Sequence, residues 1–174
     1  MSTLITTTAQ IGTIKDAGGN NTAMTIDSTG RVFRPVLPAW RVQLNSTQNI
    51  SSNSVVVAFD NSSVNGCFIQ GGCSLSAGVI TVPVAGVYQV NASVRYQNTN
   101  GAYIELYMRI NTSTSHRSYH IVGNADSTYH SLSMGHVFKL AANDTVDLLV
   151  NAQGDTSWLV QGGSLSTFSG FMIG

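Results

Sequence analysis

Few side chains in this chain could do chemistry, and they are scattered. His116 and His120 stand in His-Arg-Ser-Tyr-His. On a helix they would lie one turn apart and could share a zinc ion. On a strand they share a face but span about 13 Å, too far for one ion within one chain. The preceding Asn-Thr-Ser-Thr-Ser does not read as helical, so only a three-fold axis would gather copies of one histidine. His130 and His136 alternate with Leu132 and Met134 and read as sheet residues. Of one Glu and seven Asp, Asp144 and Asp147 stand three apart, at a turn and on the strand after it. A capped turn and a solvated strand position are expected there, not an acid/base pair. No Gly-x-Ser-x-Gly elbow is present. Cys67 and Cys73 flank Phe-Ile-Gln-Gly-Gly. They read as a small disulfide loop in a secreted protein or as two free thiols in a reducing cytosol, and both remain open. No catalytic residue, metal-ligand set or cofactor site emerges, and a non-enzymatic protein is expected.

The aromatic residues are the better candidates for recognition. Tyr and Trp pair a large apolar area with a polar tip, so they stack on sugars and anchor interfaces. Tyr103, Tyr107, Tyr119, Tyr129 and Trp158 are the surface-binding candidates. A carbohydrate patch is the sharper reading, and packing in the core or between subunits the plainer one.

Elements that could position these groups must be strands. Ser, Thr and Asn supply 52 of the 174 residues, whereas charged residues supply 9%. That mixture suits strands and turns and suits helices poorly. In Ile80–Val94 a strand, a tight turn at Pro83–Gly86 and a second strand are predicted. Tyr88, Val90, Ala92, Val94 and Tyr96 then fall on one face, with Gln89, Asn91, Ser93 and Arg95 on the other. In 103–110, Ile104, Leu106, Met108 and Ile110 oppose Tyr103, Glu105, Tyr107 and Arg109. Strands are expected at about 39–45, 54–60, 66–70, 79–84, 86–97, 103–112, 117–123, 129–140, 145–152, 157–161 and 166–173, which makes an all-β sandwich or barrel.

Net charge is zero and no basic run occurs, so nucleic acid and anionic membrane are poor partners. So few charges favour a closed oligomer. The amino end has no basic stretch followed by an apolar one, so no secretion signal is expected. The uncharged stretch Asn61–Val94 is interrupted by glycines and Pro83, which excludes a membrane helix. Residues 1–36 differ from the rest. Thr13-Ile14 and Thr25-Ile26 begin two related units, Asp27–Gly30 reads as a turn, and no segment holds enough large side chains for a core. Pro35 and Pro38 bracket a linker.

Three phrases carry a resemblance. They are Pro83, Gly86, Val87 and Tyr88; Leu140, Asp144 and Val146, with Asn143 where Gly is usual; and Phe168, Ser169, Gly170 and Phe171. Together they resemble the globular head of the C1q and tumour-necrosis-factor-like family over residues 39–174. Asn at 143 can take the left-handed backbone that Gly supplies. The resemblance implies a homotrimeric jelly roll that binds other molecules and is not an enzyme. Tyr88, Phe138, Phe168 and Phe171 become the fold and trimer-core candidates, and calcium near the trimer apex is left open. Residues 1–36 resemble the collar or shaft before the knob of phage fibre proteins. The expectation is therefore a bacteriophage virion protein, assembled in the host cytoplasm. Its arm, 1–36, would attach to other tail or capsid proteins, and its head, 39–174, would meet a host-surface glycan. The alternative is a capsid decoration or cement protein.

Overall fold

A computed structural model describes residues 13–15, 22–33, 37–50, 54–60, 66–97, 102–122, 129–153 and 158–173. The chain divides into two compact units, Met1–Leu37 and Pro38–Gly174.

In the first unit β1 (Thr13–Lys15), β2 (Thr22–Ile26) and β3 (Val32–Phe33) form one antiparallel sheet in that order. The two Thr-Ile units meet each other, with Thr13 opposite Thr25. Asp27 closes the β2–β3 turn. Its carbonyl accepts from the Gly30 amide at 3.0 Å, and its Oδ1 accepts from the Thr29 and Arg31 amides at 2.9 Å each. The Thr29 hydroxyl also donates to Oδ1, at 2.7 Å, and this bond first, then that of the Arg31 amide, holds the Asp27 carboxyl down at about 2. Gly30 takes φ +83°, where a side chain would be strained. Ile14, Ile26 and Val32 are all exposed.

The second unit is a sandwich of two antiparallel sheets. Its strands are β4 (Ala39–Gln43), β5 (Gln48–Ile50), β6 (Val55–Val56), β7 (Phe68–Gln70), β8 (Ser74–Ser76), β9 (Val79–Thr81) and β10 (Gly86–Gln97). They continue with β11 (Ala102–Ile110), β12 (Ser113–Val122), β13 (Tyr129–Leu140), β14 (Thr145–Gln153), β15 (Trp158–Val160) and β16 (Thr167–Met172). In the first sheet β10 is central. β13 runs along one side of it, and β16 and β15 share the other. β16 then carries β4 and β7, and β15 carries β5. The second sheet runs β12-β11-β14-β9-β8, with β6 also on β14.

Alternation decides what lies between the sheets. Tyr88, Val90, Ala92, Val94 and Tyr96 from β10 meet Ile104, Leu106 and Met108 from β11 and Val146, Leu148 and Val150 from β14. Trp40, Trp158 and Phe168 fill the remaining space. Trp40 packs edge-on to Phe168 at 5.8 Å, and Phe59 stacks on Phe168 at 5.6 Å. Burying large aromatic side chains contributes about 1.5–3 kcal/mol each.

Three expectations are corrected. Pro83–Gly86 does not close a hairpin, because β9 belongs to the second sheet and β10 to the first. The segment crosses between sheets, and the Tyr88 hydroxyl pins it by donating to the Val84 carbonyl at 2.9 Å. The strand expected over 54–60 shrinks to Val55–Val56. Here too the chain changes sheets: the Val57 amide donates to Leu148 of the second sheet, and the Asp60 amide donates to Gln43 of the first. The three-residue strands β5 and β8 fall outside the expected ranges, being too short to show a period. The left-handed turn at Asn143 is present, with φ +68°.

Candidate functional site

Two outer faces of the second unit carry the candidate residues. The first is the outer face of β10, β13, β16 and β4. Small polar side chains make a shallow trough of about 460 Å³ lined by Asn91, Ser93, Ser133, Gly135, Thr167 and Ser169. Ser133 donates to Ser93 at 3.1 Å, and the Gln89 amide donates to Asn91 at 3.0 Å. Gly135 leaves room for that amide pair, since a Cβ there would sit 2.7 Å from the Asn91 oxygen. The lining holds no His, Cys, Asp or Glu, so nothing in it could activate a nucleophile. At one end Val137 and Phe171 are 55% and 50% exposed. They sit at neighbouring registers, both paired with Gln89. At the other end the Arg95 guanidinium lies 4.2 Å over the Tyr129 ring.

The second face is the outer side of β12, β11 and β14. Tyr103 is exposed and Tyr107 half-buried on it. Between them Glu105 is buried. One Glu105 oxygen accepts from the Tyr107 hydroxyl and from Asn151 Nδ2, and the other pairs with Arg117 at 3.3 Å. The Tyr107 hydroxyl first, and then the Glu105 charge, hold Arg117 still more firmly protonated than usual. Further along, Arg109 grips the buried Asp147 carboxylate through two bonds. The arrangement is a set of fixed polar and aromatic groups on a rigid sheet.

The five aromatic candidates do not gather. Tyr103 and Tyr107 share the second face, and Tyr119 is paired with Glu105 between them, its side chain lying outside those described. Tyr129 is on the first face. Trp158 is a correction: it is fully buried and packs 5.6 Å from Tyr96. Its neighbour Leu159 alternates outward instead, because residues 158 and 160 face the core. Among the fold candidates Tyr88 and Phe168 are in the core, Phe138 packs against it half-buried, and Phe171 points outward. The Glu105–Arg117–Asn151 cluster is not foreseen by the sequence, since its members come together only through the registers of three strands.

The remaining candidates are held apart. Asp144 caps the β13–β14 turn. It accepts from Asn111 Nδ2 at 2.7 Å and from the Ala141 amide at 2.8 Å, and these bonds lower its carboxyl pKa. Asp147 pairs with Arg109 instead, so the expected solvated strand position is a buried ion pair. Cys67 and Cys73 are free thiols, and burial pushes Cys73 up to about 11. Among the described residues no three His, Cys, Asp or Glu side chains come together as a metal set.

An all-β jelly-roll sandwich with two polar outer faces is therefore in place. The C1q domain matches residues 39–173, and the chain belongs to that family. A comparison with curated proteins finds no match.

Proposed function

We propose that this chain is a non-enzymatic homotrimeric binding head, borne on a bacteriophage virion as a fibre-like appendage that meets the host surface. The observation that carries the trimer is the first outer face. It holds no carboxylate among its described residues, its centre is lined by small side chains, and Val137 and Phe171 stand half-exposed at its edge. Apolar groups left open on such a face, with no carboxylate among its described residues to repel a copy, are what a second and third copy would cover. Homotrimers are also typical of the C1q family. Light scattering on the full chain should give about three times 18.4 kDa. A clean monomer at micromolar concentration overturns the reading.

The virion setting rests on the first unit. Its described strands are two to five residues long, and Ile14, Ile26 and Val32 on them are exposed. Such an arm gains stability from partners. Removing residues 1–36 should leave a folded β-rich head that no longer enters particles. Normal incorporation of that truncation would rule out the arm as the anchor. A few trimers per virion, at the tail, fit a fibre, whereas hundreds over the shell would favour capsid decoration. Tyr103 and Tyr107 flanking the fixed Glu105 support a host-surface glycan as the ligand, since rings and anchored polar groups together suit sugars.

A further inference from the structure

The two sheets meet along one edge through histidine. Among the described residues β12 ends the second sheet, paired with β11, and β13 is paired with β10 in the first. Among the described residues no backbone ladder joins β12 to β13, and side chains meet across that edge. Where apolar residues would be expected, His116 of β12 lies against His136 of β13, with ring centroids 3.4 Å apart and planes at 48°. Both are half-buried. His136 also leans on Phe138 at 5.7 Å. His116 is registered with Met108 and His136 with Val90, so both belong to the inward rows.

We propose that this seam is an acid-opened edge of the sandwich: the neutral imidazole pair closes β12 onto β13, and protonation of the pair parts them. Two imidazolium rings cannot keep a 3.4 Å contact without strong repulsion. Among the described residues, the inward rows around the pair hold no carboxylate to offset that charge. On β10 the inward titratable groups are Tyr88 and Tyr96, and on β13 the further one is His130, which stacks on Tyr96. On β11 the row is Ile104, Leu106 and Met108. His120 is registered opposite Ile104, its side chain lying outside those described. The charged groups of these strands, Arg95, Glu105, Arg109, Arg117 and Lys139, stand at the outward registers, as do Tyr103, Tyr107 and Tyr129. Asp147 of β14 is held on the outer side by Arg109.

Burial first, and then the neighbouring His136, lower the His116 pKa below its usual value. The open state therefore binds the proton more tightly. Closure is fully stabilised above the ordinary histidine value of about 6.5 and weakens as pH falls through the lowered one. The ladders β11–β12 and β10–β13 need not break, so opening is local and exposes the apolar interior along one edge.

Hydrogen exchange followed by mass spectrometry on the full chain tests this, at about pH 7.5 and about pH 5 with intrinsic rates corrected. In the parent, peptides from 113–122 and 129–140 should lose protection by about tenfold at the lower pH, while those from β14 and β16 do not. His116→Gln should abolish the difference. Should that variant not fold, His136→Gln is read in the same way. Equal protection of both strands at the two pH values overturns the proposal. So does an acid loss that persists in the variants or that spreads evenly over the sandwich.

Discussion

Arg109 and Asp147 face each other across β11 and β14, with Nε donating to Oδ1 at 2.7 Å and Nη2 donating to Oδ2 at 2.9 Å. The carboxylate is 1% exposed although it lies on the outer side of its strand. A buried pair is a weak source of net stability, but breaking one side strands the other charge. Asp147→Ala should therefore lower stability by about 3–5 kcal/mol. Replacing both residues with apolar ones of similar volume should restore much of the loss. Urea unfolding of the three proteins checks this, and a single variant as stable as the parent would contradict the pairing.

Gly170 is needed because Trp40 lies across it. The two residues are register partners on β16 and β4, and a Cβ at 170 would fall inside the Trp40 indole. Trp40 is itself buried between Tyr88 and Phe168 and has nowhere to go. Gly170→Ala should cost about 1–3 kcal/mol through overpacking. Gly163→Ala is no control, because its backbone is left-handed. Ser169→Ala, on the outer face next door, should change monomer stability little. Thermal unfolding separates the two.

Asp144 gives the head an acid limb. Its carboxyl is held below the usual range by the Asn111 side chain and the Ala141 amide. A lowered folded value means that the unfolded chain binds more protons at low pH. The stabilisation is thus present above about pH 4 and is lost as pH falls through the folded value. Asp144→Asn should flatten the fall in melting temperature below about pH 4 and leave the behaviour at higher pH unchanged. A parent whose melting temperature is level from pH 6 downward would refute the assignment.

The alternation of β10, β11 and β13 was legible because each is nine or more residues long and faces a core on one side only. A period of two over that length admits one arrangement. The terminal phrase was legible for a related reason: Phe168 and Gly170 share the inner row, and Trp40 fills the space that Gly170 leaves. Asn143 could be read in advance because its left-handed backbone is a local matter. The connections were not legible. Whether Pro83–Gly86 turns back or crosses over depends on which sheet receives β10, and that is settled by β13 and β16, far along the chain. Trp158 misled for want of flanking pattern, since three residues cannot show which side is inside. The Glu105 cluster and the His116–His136 contact both rest on register and sheet packing between strands, which residue types alone do not disclose.

Phe168 and Phe171 test the two sides of the same strand. Three residues apart, they point to opposite faces, and the structure puts Phe168 in the core and leaves Phe171 half-exposed. Phe168 touches both Trp40 and Phe59. Phe168→Ala should therefore cost about 3–5 kcal/mol and threaten the fold itself. Phe171→Ala removes a ring that the single chain does not bury, so the chain's own stability should change by less than about 1 kcal/mol. It and Val137 flank Gln89 from either side of β10 on the face proposed to meet other copies, so the variant should dissociate at higher protein concentration than the parent. Circular dichroism at low temperature should show intact β structure for Phe171→Ala, and sedimentation over a concentration series should show the shift toward monomer. If Phe171→Ala sedimented and melted as the parent does, that face would not be where copies join. If Phe168→Ala were equally silent, the strand would not occupy the core at all.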